Sequence, residues 1–465
     1  MRTIAINAAI LVCLFITSCQ PSGSRVLFDS TNTNKWQTTG SVSTGNGILT
    51  LQGGNTQAVL KSGRYKNFEL NLELRTTAGG KGFIAFHTDK TLSKGYRVAI
   101  NNDRSDPVWW KMTGSLLSVR NLTKSFVKEN DWFQMSIRVE GNFIAVAING
   151  APVVEYIQPA EPYRIAPNQA ALLSEGTIAL TGSGTGEIQI KSISIQTIQP
   201  GEMVGDINTQ LAQAIDEQKD EIIKLHQEDF PVLDYHVHIK GGLTNENAAQ
   251  RSRKTGINYA ASPNCGVGFP ITDDSGVIAF LDSMRSKPFI LAMQAEGREW
   301  VTTFSPQVRN EFDYVFTDAL TFTDTKGRRT RLWMPREVWI DNEQRYMDMI
   351  VDKICGVLKE PMDMYVNPCF LPPQMEDRYD EFWTEARMNK FVEAMALSGK
   401  ALEINARYKI PNKAIIQKAK AAGVKFTFGT NNAGADDLGL LEYCIQIKKE
   451  CGITAQDMYK PKVKI

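Results

Sequence analysis

The stretch Val232-Leu233-Asp234-Tyr235-His236-Val237-His238 decides how the second half of the chain folds. Apolar and polar side chains alternate along it, which is the period-two pattern of a β-strand. Residues two apart in a strand project from the same face. The pattern therefore predicts that Asp234, His236 and His238 point together to one side of the sheet.

Further strand-like runs follow this stretch, and helical patterns such as 342–358 and 413–422 separate them. Alternation of strands and helices is typical of parallel sheets. Seven strands predict a closed or nearly closed α/β barrel, and an open, doubly wound sheet is the alternative. The strands are predicted at 232–238, 257–263, 289–295, 313–318, 363–368, 401–406 and 424–429.

Polar residues stand at the carboxyl ends of several of these predicted strands. Glu296 follows the run 289–295, Asp318 ends the run 313–318, and Glu403 lies near the end of the run 401–406. In a barrel of parallel strands the carboxyl ends together form the mouth, where catalytic residues are found. Glu403 and Asp318 are therefore the candidates for a catalytic base.

The two histidines in the first strand suit a metal ion, because each neutral imidazole offers one nitrogen as a ligand. We expect His236, His238 and Glu296 to hold one divalent ion, zinc or manganese. A structural pair of histidines bonded to carbonyl groups is the alternative.

The H-x-H first strand, the later Leu402-Glu403-Ile404-Asn405 and the seven strand–helix units resemble the polymerase-and-histidinol-phosphatase superfamily of metal-dependent barrels. The resemblance covers roughly 229–465. It implies bound metal ions and hydrolysis of phosphoesters by a metal-activated water. At three positions where that family carries further ligands, this chain has 262–265, 367–368 and 431–434, which are rich in Asn and Ser.

The first half of the chain has a different pattern, with short strand-like runs between glycine-rich turns. Phe68, Leu70, Leu72 and Leu74 alternate with polar residues, as in a half-buried strand. No helical period interrupts the runs. An antiparallel β-sandwich of the jelly-roll type is predicted for 25–198, and a connecting amphipathic helix for 199–229.

Short runs of this half, in order, are similar to the 3-keto-disaccharide hydrolase family. They are the segments 26–29, 67–70, 82–84, 95–98, 113–114, 131–132 and 149–150. The resemblance implies substrates that are sugars oxidised at C3, whose glycosidic bond is cleaved by hydrolysis or by elimination and hydration. A ketone at C3 acidifies the proton at C2, so one base can start the loss of the group at C1.

Five residues of the sandwich are candidates for a sugar-binding groove. Aromatic rings stack on the apolar face of a pyranose, and arginine and histidine donate hydrogen bonds to hydroxyl groups. For the tryptophan pair the alternative is that one ring is in the core and the other at an edge. The candidates are Arg75, His87, Arg97, Trp109 and Trp110.

The first nineteen residues read as an export signal, with Arg2 before an apolar run. The end of this run, Ile16-Thr17-Ser18-Cys19, resembles a bacterial lipobox, which implies lipidation of Cys19 and anchoring to a membrane by lipid alone. Gln20 stands where an inner-membrane retention signal would have aspartate, so the resemblance favours the outer membrane. The predicted organisation is a signal at 1–19, a sandwich at 25–198, a linker at 199–229 and a barrel at 230–465.

The composition of the chain argues against one class of function, the binding of nucleic acids. The 465 residues carry a net charge of +1, and 42% of them are hydrophobic. Without a basic excess, sequence-independent binding of nucleic acid is not expected. The sequence predicts an exported carbohydrate-active lipoprotein that cleaves glycosides with help from a metal in the barrel. A sugar-binding protein built on two degenerate catalytic scaffolds and a phosphoesterase are the alternatives.

Overall fold

The computed structural model describes residues 23–30, 33–198 and 215–464. The expected export signal, Cys19 and the first part of the expected linker helix lie outside the described residues. Within those residues, no helix combines the length and the apolar character needed to cross a membrane.

The first domain is built from eleven antiparallel strands. They are β1 (Ser24–Phe28), β2 (Trp36–Gly45), β3 (Ile48–Leu60), β4 (Phe68–Thr76), β5 (Gly80–Thr88), β6 (Tyr96–Asn101), β7 (Phe133–Glu140), β8 (Phe143–Ile148), β9 (Ala151–Ile157), β10 (Thr177–Gly184) and β11 (Glu187–Thr197).

One curled sheet forms both layers of this sandwich, in the order β6-β5-β10-β3-β11-β4-β7-β8-β9. Strand β3 belongs to both layers, since 49–52 pair with β11 and 56–59 pair with β10. Between these two pairings lie Gly53 and Asn55, both with left-handed backbones. Glycine and asparagine tolerate that conformation, and so the strand can bend from one layer into the other.

The core between the two layers is apolar. Along β4 the side chains of Phe68, Leu70, Leu72 and Leu74 are all at most 2% exposed, and the residues between them are not buried. The period-two pattern of the sequence therefore identified the inward face of β4 correctly. The predicted antiparallel sandwich is confirmed.

A short segment leads from the sandwich to the barrel. Its helix α1 (Glu221–Gln227) is shorter than the predicted linker helix within the described residues. Ahead of α1, Glu217 is buried against the sandwich. Its carboxylate accepts hydrogen bonds from Arg164 Nη1 (2.8 Å) and from the Tyr156 hydroxyl (2.6 Å). This buried ion pair fixes the segment on the first domain.

The second domain alternates strands and helices. Its strands are β12 (Leu233–Val237), β13 (Asn258–Ala261), β14 (Asn264–Cys265), β15 (Ile290–Ala295), β16 (Tyr314–Thr317), β17 (Thr321–Thr323), β18 (Arg329–Arg331), β19 (Met364–Tyr365), β20 (Ala401–Asn405) and β21 (Phe426–Gly429). Its helices are α2 (Asn245–Thr255), α3 (Asp274–Met284), α4 (Trp300–Thr303), α5 (Pro306–Arg309), α6 (Glu343–Val357), α7 (Tyr379–Phe382), α8 (Glu385–Ser398), α9 (Lys413–Ala421) and α10 (Glu442–Cys451).

The sheet of this domain is a closed barrel of seven parallel strands. Neighbours follow the order β13-β12-β21-β20-β19-β16-β15, and a pairing between β13 and β15 closes the ring. The predicted barrel is confirmed, and the open, doubly wound sheet is wrong because it would leave β13 and β15 unpaired with each other.

Asparagines cap two of the predicted helices: Asn342 accepts a hydrogen bond from an amide in the first turn of α6, and Asn412 from one in α9.

The loop between β6 and β7 packs the sandwich against the barrel. Trp109 and Trp110 belong to the apolar core of the barrel domain. Two buried cations of the same loop cap barrel carbonyl groups: Arg120 Nε donates to Lys254 (3.2 Å) and Lys124 Nζ donates to Phe289 (2.6 Å). The two domains therefore share a buried interface.

Removal of the Glu217 charge tests the role of the buried ion pair. We expect Glu217→Gln to lower the free energy of unfolding by about 3 kcal/mol, because Arg164 would remain buried and charged without its partner. Chemical denaturation followed by circular dichroism measures this. The control is Asp352→Asn, since the Lys390–Asp352 pair has side chains 56% and 64% exposed. The control should lose at most about 1 kcal/mol, and equal losses in both variants would contradict the assignment.

Candidate functional site

His236 lies at the centre of the barrel and has no exposed surface. Its Nδ1–H donates to Oε1 of Glu403 on β20, at 2.6 Å, and its Nε2 lies 3.1 Å from Oε1 of Gln294 on β15. Contacts with β15 and β20 from a residue of β12 cross the inside of the barrel. The predicted inward projection of His236 is therefore correct, and both of its ring nitrogens have protein partners.

Glu403 is enclosed as completely as His236. Besides the histidine, its carboxylate accepts hydrogen bonds from the Asn367 backbone amide (2.7 Å) and from Asn405 Nδ2 (3.0 Å). Its exposed fraction is 0%. The proposal that Glu403 is a catalytic base needs correction, because a base must reach a proton of the substrate. In this position Glu403 orients His236.

His238 stands at the end of β12, one step nearer the mouth. Its ring centroid is 5.0 Å from that of His236. The Nδ1–H donates to the Ser262 carbonyl oxygen at 2.9 Å, while Nε2 has no hydrogen-bond partner among the described residues. Burial and the neighbouring His236 hold the pKa of His238 well below its usual value. The ring is therefore neutral near pH 7, with Nε2 as an available lone pair.

Glu296 and Asp318 follow β15 and β16 and form a pair of buried carboxyl groups. Burial, and then the charge of Asp318, raise the pKa of Glu296 to about 8. Burial also raises the pKa of Asp318, which accepts hydrogen bonds from Asn367 Nδ2 and the Leu320 amide. Two such groups cannot both ionise cheaply, so the pair retains a proton to higher pH than two separate carboxyl groups would.

Asn367, which follows β19, links these groups. Asn367 donates its Nδ2–H to Asp318 and its backbone N–H to Glu403. Its side-chain oxygen accepts hydrogen bonds from Asn405 and Asn431. Gln294 was missed, although it lies on β15 two residues before Glu296, and the period-two rule would have placed both on one face.

The expected metal ligands do not form a coordinating group. Among the described residues, no three His, Cys, Asp or Glu side chains are arranged to hold a metal ion. His236 uses both ring nitrogens within the protein, and Oε1 of Glu296 accepts a hydrogen bond from Asn264 at 2.7 Å. The side chains as arranged therefore do not fit the metal site that the sequence suggested.

In the sandwich, His87 is a core residue. It is 1% exposed, its Nε2–H donates to the Lys66 carbonyl oxygen (2.9 Å), and its Nδ1 accepts from the Ser174 amide (3.1 Å). Burial lowers its pKa to about 4. With both nitrogens occupied inside the protein, the proposal that His87 binds substrate needs correction.

The tryptophan pair is also buried. Trp109 and Trp110 are 5% and 6% exposed, and their rings meet edge to face with centroids 5.7 Å apart. Both pack into the interface with the barrel, so neither offers an open ring face to a pyranose. The proposed stacking role needs correction, and the alternative of one core ring and one edge ring does not describe them either.

The two candidate arginines are far apart. Arg75 on β4 donates to Gln189 (2.7 Å) and stacks on Trp132, whereas Arg97 on β6 is exposed and stacks on Phe83. β4 and β6 belong to different layers of the sandwich, and each arginine projects from the outer face of its own layer, away from the buried residues beside it. They do not form one groove. Arg97 lines a cleft of about 450 Å³ beside the residues that follow α1.

The sandwich matches a known family. Residues 23–196 match the family model described as a 3-keto-alpha-glucoside-1,2-lyase-like domain. The match leaves the barrel outside it. No curated protein matches the chain.

Several solved structures are similar to part of the chain. A protein described as a glycosyl hydrolase from Parabacteroides distasonis is 14% identical, covers 38% of this chain and 94% of its own, and has a TM-score of 0.34. A second from the same organism is 20% identical, covers 38% and 99%, and has a TM-score of 0.32. The carbohydrate-binding module CBM66 from Bacillus subtilis is 13% identical, covers 35% and 96%, and has a TM-score of 0.28.

Gly429 makes the central contact of the barrel possible, and its substitution tests that contact. A Cβ at this position would lie 2.1 Å from Glu403 Oε1 and 2.9 Å from His236 Cβ. We expect Gly429→Ala to lower the free energy of unfolding by about 1–3 kcal/mol through overpacking, measured by urea denaturation. Gly356→Ala is the control, since a Cβ there meets nothing within 4 Å, and it should change stability by less than about 1 kcal/mol in the stabilising direction. A Gly429→Ala variant as stable as the control would contradict the geometry.

Proposed function

We propose that the protein is a carbohydrate-active enzyme that cleaves glycosides at the barrel mouth, with 3-keto glycosides as its substrates. The observation that carries the proposal is that His238, with a free Nε2, and Glu296, whose pKa is raised by burial and by Asp318, follow β12 and β15 at the carboxyl ends that form the mouth, with only β13 between these two strands. The match of residues 23–196 to the 3-keto-alpha-glucoside-1,2-lyase-like family supports the class of substrate.

The chemistry of a 3-keto glycoside needs one base and one acid. The ketone at C3 makes the C2 proton acidic, because the carbanion delocalises onto the ketone oxygen. When the base removes this proton, the electron pair forms a double bond between C1 and C2 and expels the oxygen at C1. The leaving oxygen then takes a proton from the acid, and later addition of water at C1 completes a net hydrolysis.

His238 is the candidate base. Its Nδ1–H is fixed on the Ser262 carbonyl group, which places the lone pair on Nε2. Burial keeps the ring neutral, so no proton has to be lost before it acts. Behind it, Glu403 orients His236 and the Asn432 side chain accepts the His238 backbone N–H at 2.7 Å. These are positioning contacts.

Glu296 is the candidate acid. Its exposed fraction is 5%, and Asn264 Nδ2 donates to Oε1, which fixes the carboxyl group. The neighbouring Asp318 raises the pKa of Glu296 and so keeps the proton on it. In this scheme Asp318 is not the base that the sequence suggested but the charge that keeps the acid protonated.

A change of leaving group tests the acid. We expect Glu296→Gln to slow cleavage of methyl 3-keto-α-glucopyranoside by at least about 100-fold, and of the 4-nitrophenyl analogue by less than about tenfold. Nitrophenolate leaves without a proton, whereas methoxide needs one. With the methyl substrate the wild-type rate should fall as the pH rises through about 8, because Glu296 then loses its proton. The variant should lack this fall.

Product release followed by chromatography and by nitrophenol absorbance gives both rates. Asp352→Asn, on the exposed side of α6, is the control and should keep the wild-type rates and pH profile. Equal losses on the two substrates would contradict an acid role for Glu296. Absence of cleavage with either substrate would contradict the proposed function and favour a sugar-binding protein on two degenerate scaffolds.

The site gives less support to the alternative that the protein is a phosphoesterase, which the resemblance to the polymerase-and-histidinol-phosphatase superfamily implies. Phosphoryl transfer in such barrels depends on metal ions that neutralise charge. The described residues offer no group of three ligands for one. The reaction proposed above therefore has no step that uses a metal.

We also propose, from residues 1–20 alone, that the protein is an exported lipoprotein anchored through Cys19, with the outer membrane as its location. The support is the resemblance of 16–19 to a lipobox and the Gln20 that follows it. A location outside the cytoplasm agrees with glycans as substrates.

A further inference from the structure

A second cleft lies on the barrel domain, between the β17–β18 hairpin and the start of α6. Its volume is about 350 Å³, which is within the range of small-molecule sites. The residues lining it that matter here are Asp324, Arg328, Trp339, Asp341 and Tyr346.

Trp339 gives the cleft an exposed aromatic surface. The residue is 37% exposed, although tryptophan is highly buried on average. The Arg328 guanidinium lies on its ring, 4.3 Å from the centroid. Asp324 holds that guanidinium by a hydrogen bond of 2.8 Å from Nε, so the ring rests on a fixed support. The platform is therefore built before any ligand arrives.

Tyr346, which also lines the cleft, carries a buried hydroxyl group without a partner in the described part of the chain. Tyr346 is 7% exposed, and its hydroxyl has no hydrogen-bond partner among the described residues. Buried polar groups are normally paired, because an unpaired one loses its hydrogen bonds to water. A ligand with hydroxyl groups would give the Tyr346 hydroxyl a hydrogen-bond partner and would pack on Trp339.

The position of the cleft connects it with the mouth of the barrel. The hairpin follows directly after β16 and Asp318, at the carboxyl end of the strand. Helix α6 leads into β19, so its first residues lie at the same end of the barrel. The cleft is therefore on the rim of the mouth.

We propose that this cleft binds one sugar unit of an oligosaccharide, with Trp339 stacking on the pyranose and the Tyr346 hydroxyl bonding to one of its hydroxyl groups. The choice of a sugar rests on the proposed function. The Asp324 carboxylate pairs with Arg328 and Asp341 with Lys326, while Arg345 adds a third cation to the lining, so a neutral or acidic sugar unit fits the charges. Chains longer than a disaccharide are then the natural ligands of the protein.

Binding to an array of oligosaccharides tests this site without any catalysis. The array carries neutral, uronic acid and amino-sugar chains of two to eight units, probed with the full chain. We expect capture on at least one type of chain of four or more units. Trp339→Ala should weaken that capture at least about tenfold and Tyr346→Phe about threefold or more. Capture on disaccharides should not change.

Leu397→Ala is the control, because this leucine is 82% exposed on α8 and lies outside the cleft. It should leave capture unchanged, and circular dichroism should show all three variants folded. The Tyr346→Phe variant removes a single oxygen atom, so its effect does not depend on refolding of the cleft.

The outcomes separate this site from the proposed reaction. No capture on any chain, or capture that is equal in the wild type and Trp339→Ala, overturns the site even if the 3-keto glucosides are cleaved. Capture that depends on Trp339 supports the site even if no cleavage is found, in which case the proposed reaction alone fails.

Discussion

The arrangement of the barrel mouth depends on the buried carboxylate of Glu403, which needs hydrogen-bond donors around it. Glu403 has no exposed surface, and a charge in such a place is stable only when donors surround it. His236, the Asn367 amide and Asn405 are those donors. Asn367 meets Glu403 with a left-handed backbone, which asparagine tolerates better than most residues. The same Asn367 side chain fixes Asp318, whose charge keeps a proton on Glu296.

The contact between the two domains explains why the sandwich contributes less to the site than its family resemblance implies. Trp109 and Trp110 fill the interface with the barrel instead of a sugar groove. Arg120 and Lys124 enter the same interface and satisfy carbonyl groups that would otherwise be buried without donors. The two tryptophans are therefore not open to a sugar, although Lys111, Leu117 and Ser118 of the same loop line the cleft beside Arg97.

Much of the fold was predictable from local pattern, and much of the site was not. Period-two alternation located β4 and β12, and strand–helix alternation indicated parallel strands. Closure of the ring depends on the pairing of β13 with β15, which no local pattern reveals. The positions of Glu296 and Asp318 at strand ends were predicted from the sequence. Their roles depend on burial, which the sequence does not show. Glu403 is fully enclosed, so it orients His236 and does not act as a base. Residue type alone did not distinguish His87, enclosed in the sandwich core, from His238, which keeps a free nitrogen.

In the proposed reaction the barrel mouth removes the C2 proton of a 3-keto glycoside, and exchange of that proton with solvent measures this step. Methyl 3-keto-α-glucopyranoside in D₂O is followed by proton NMR with the wild type, His238→Gln and Glu296→Gln. We expect rapid deuterium entry at C2 with the wild type, entry slowed by at least about 100-fold in His238→Gln, and entry retained in Glu296→Gln, because the acid acts after the proton has left. Exchange no faster than without protein, or exchange unchanged in His238→Gln, would show that His238 does not remove this proton.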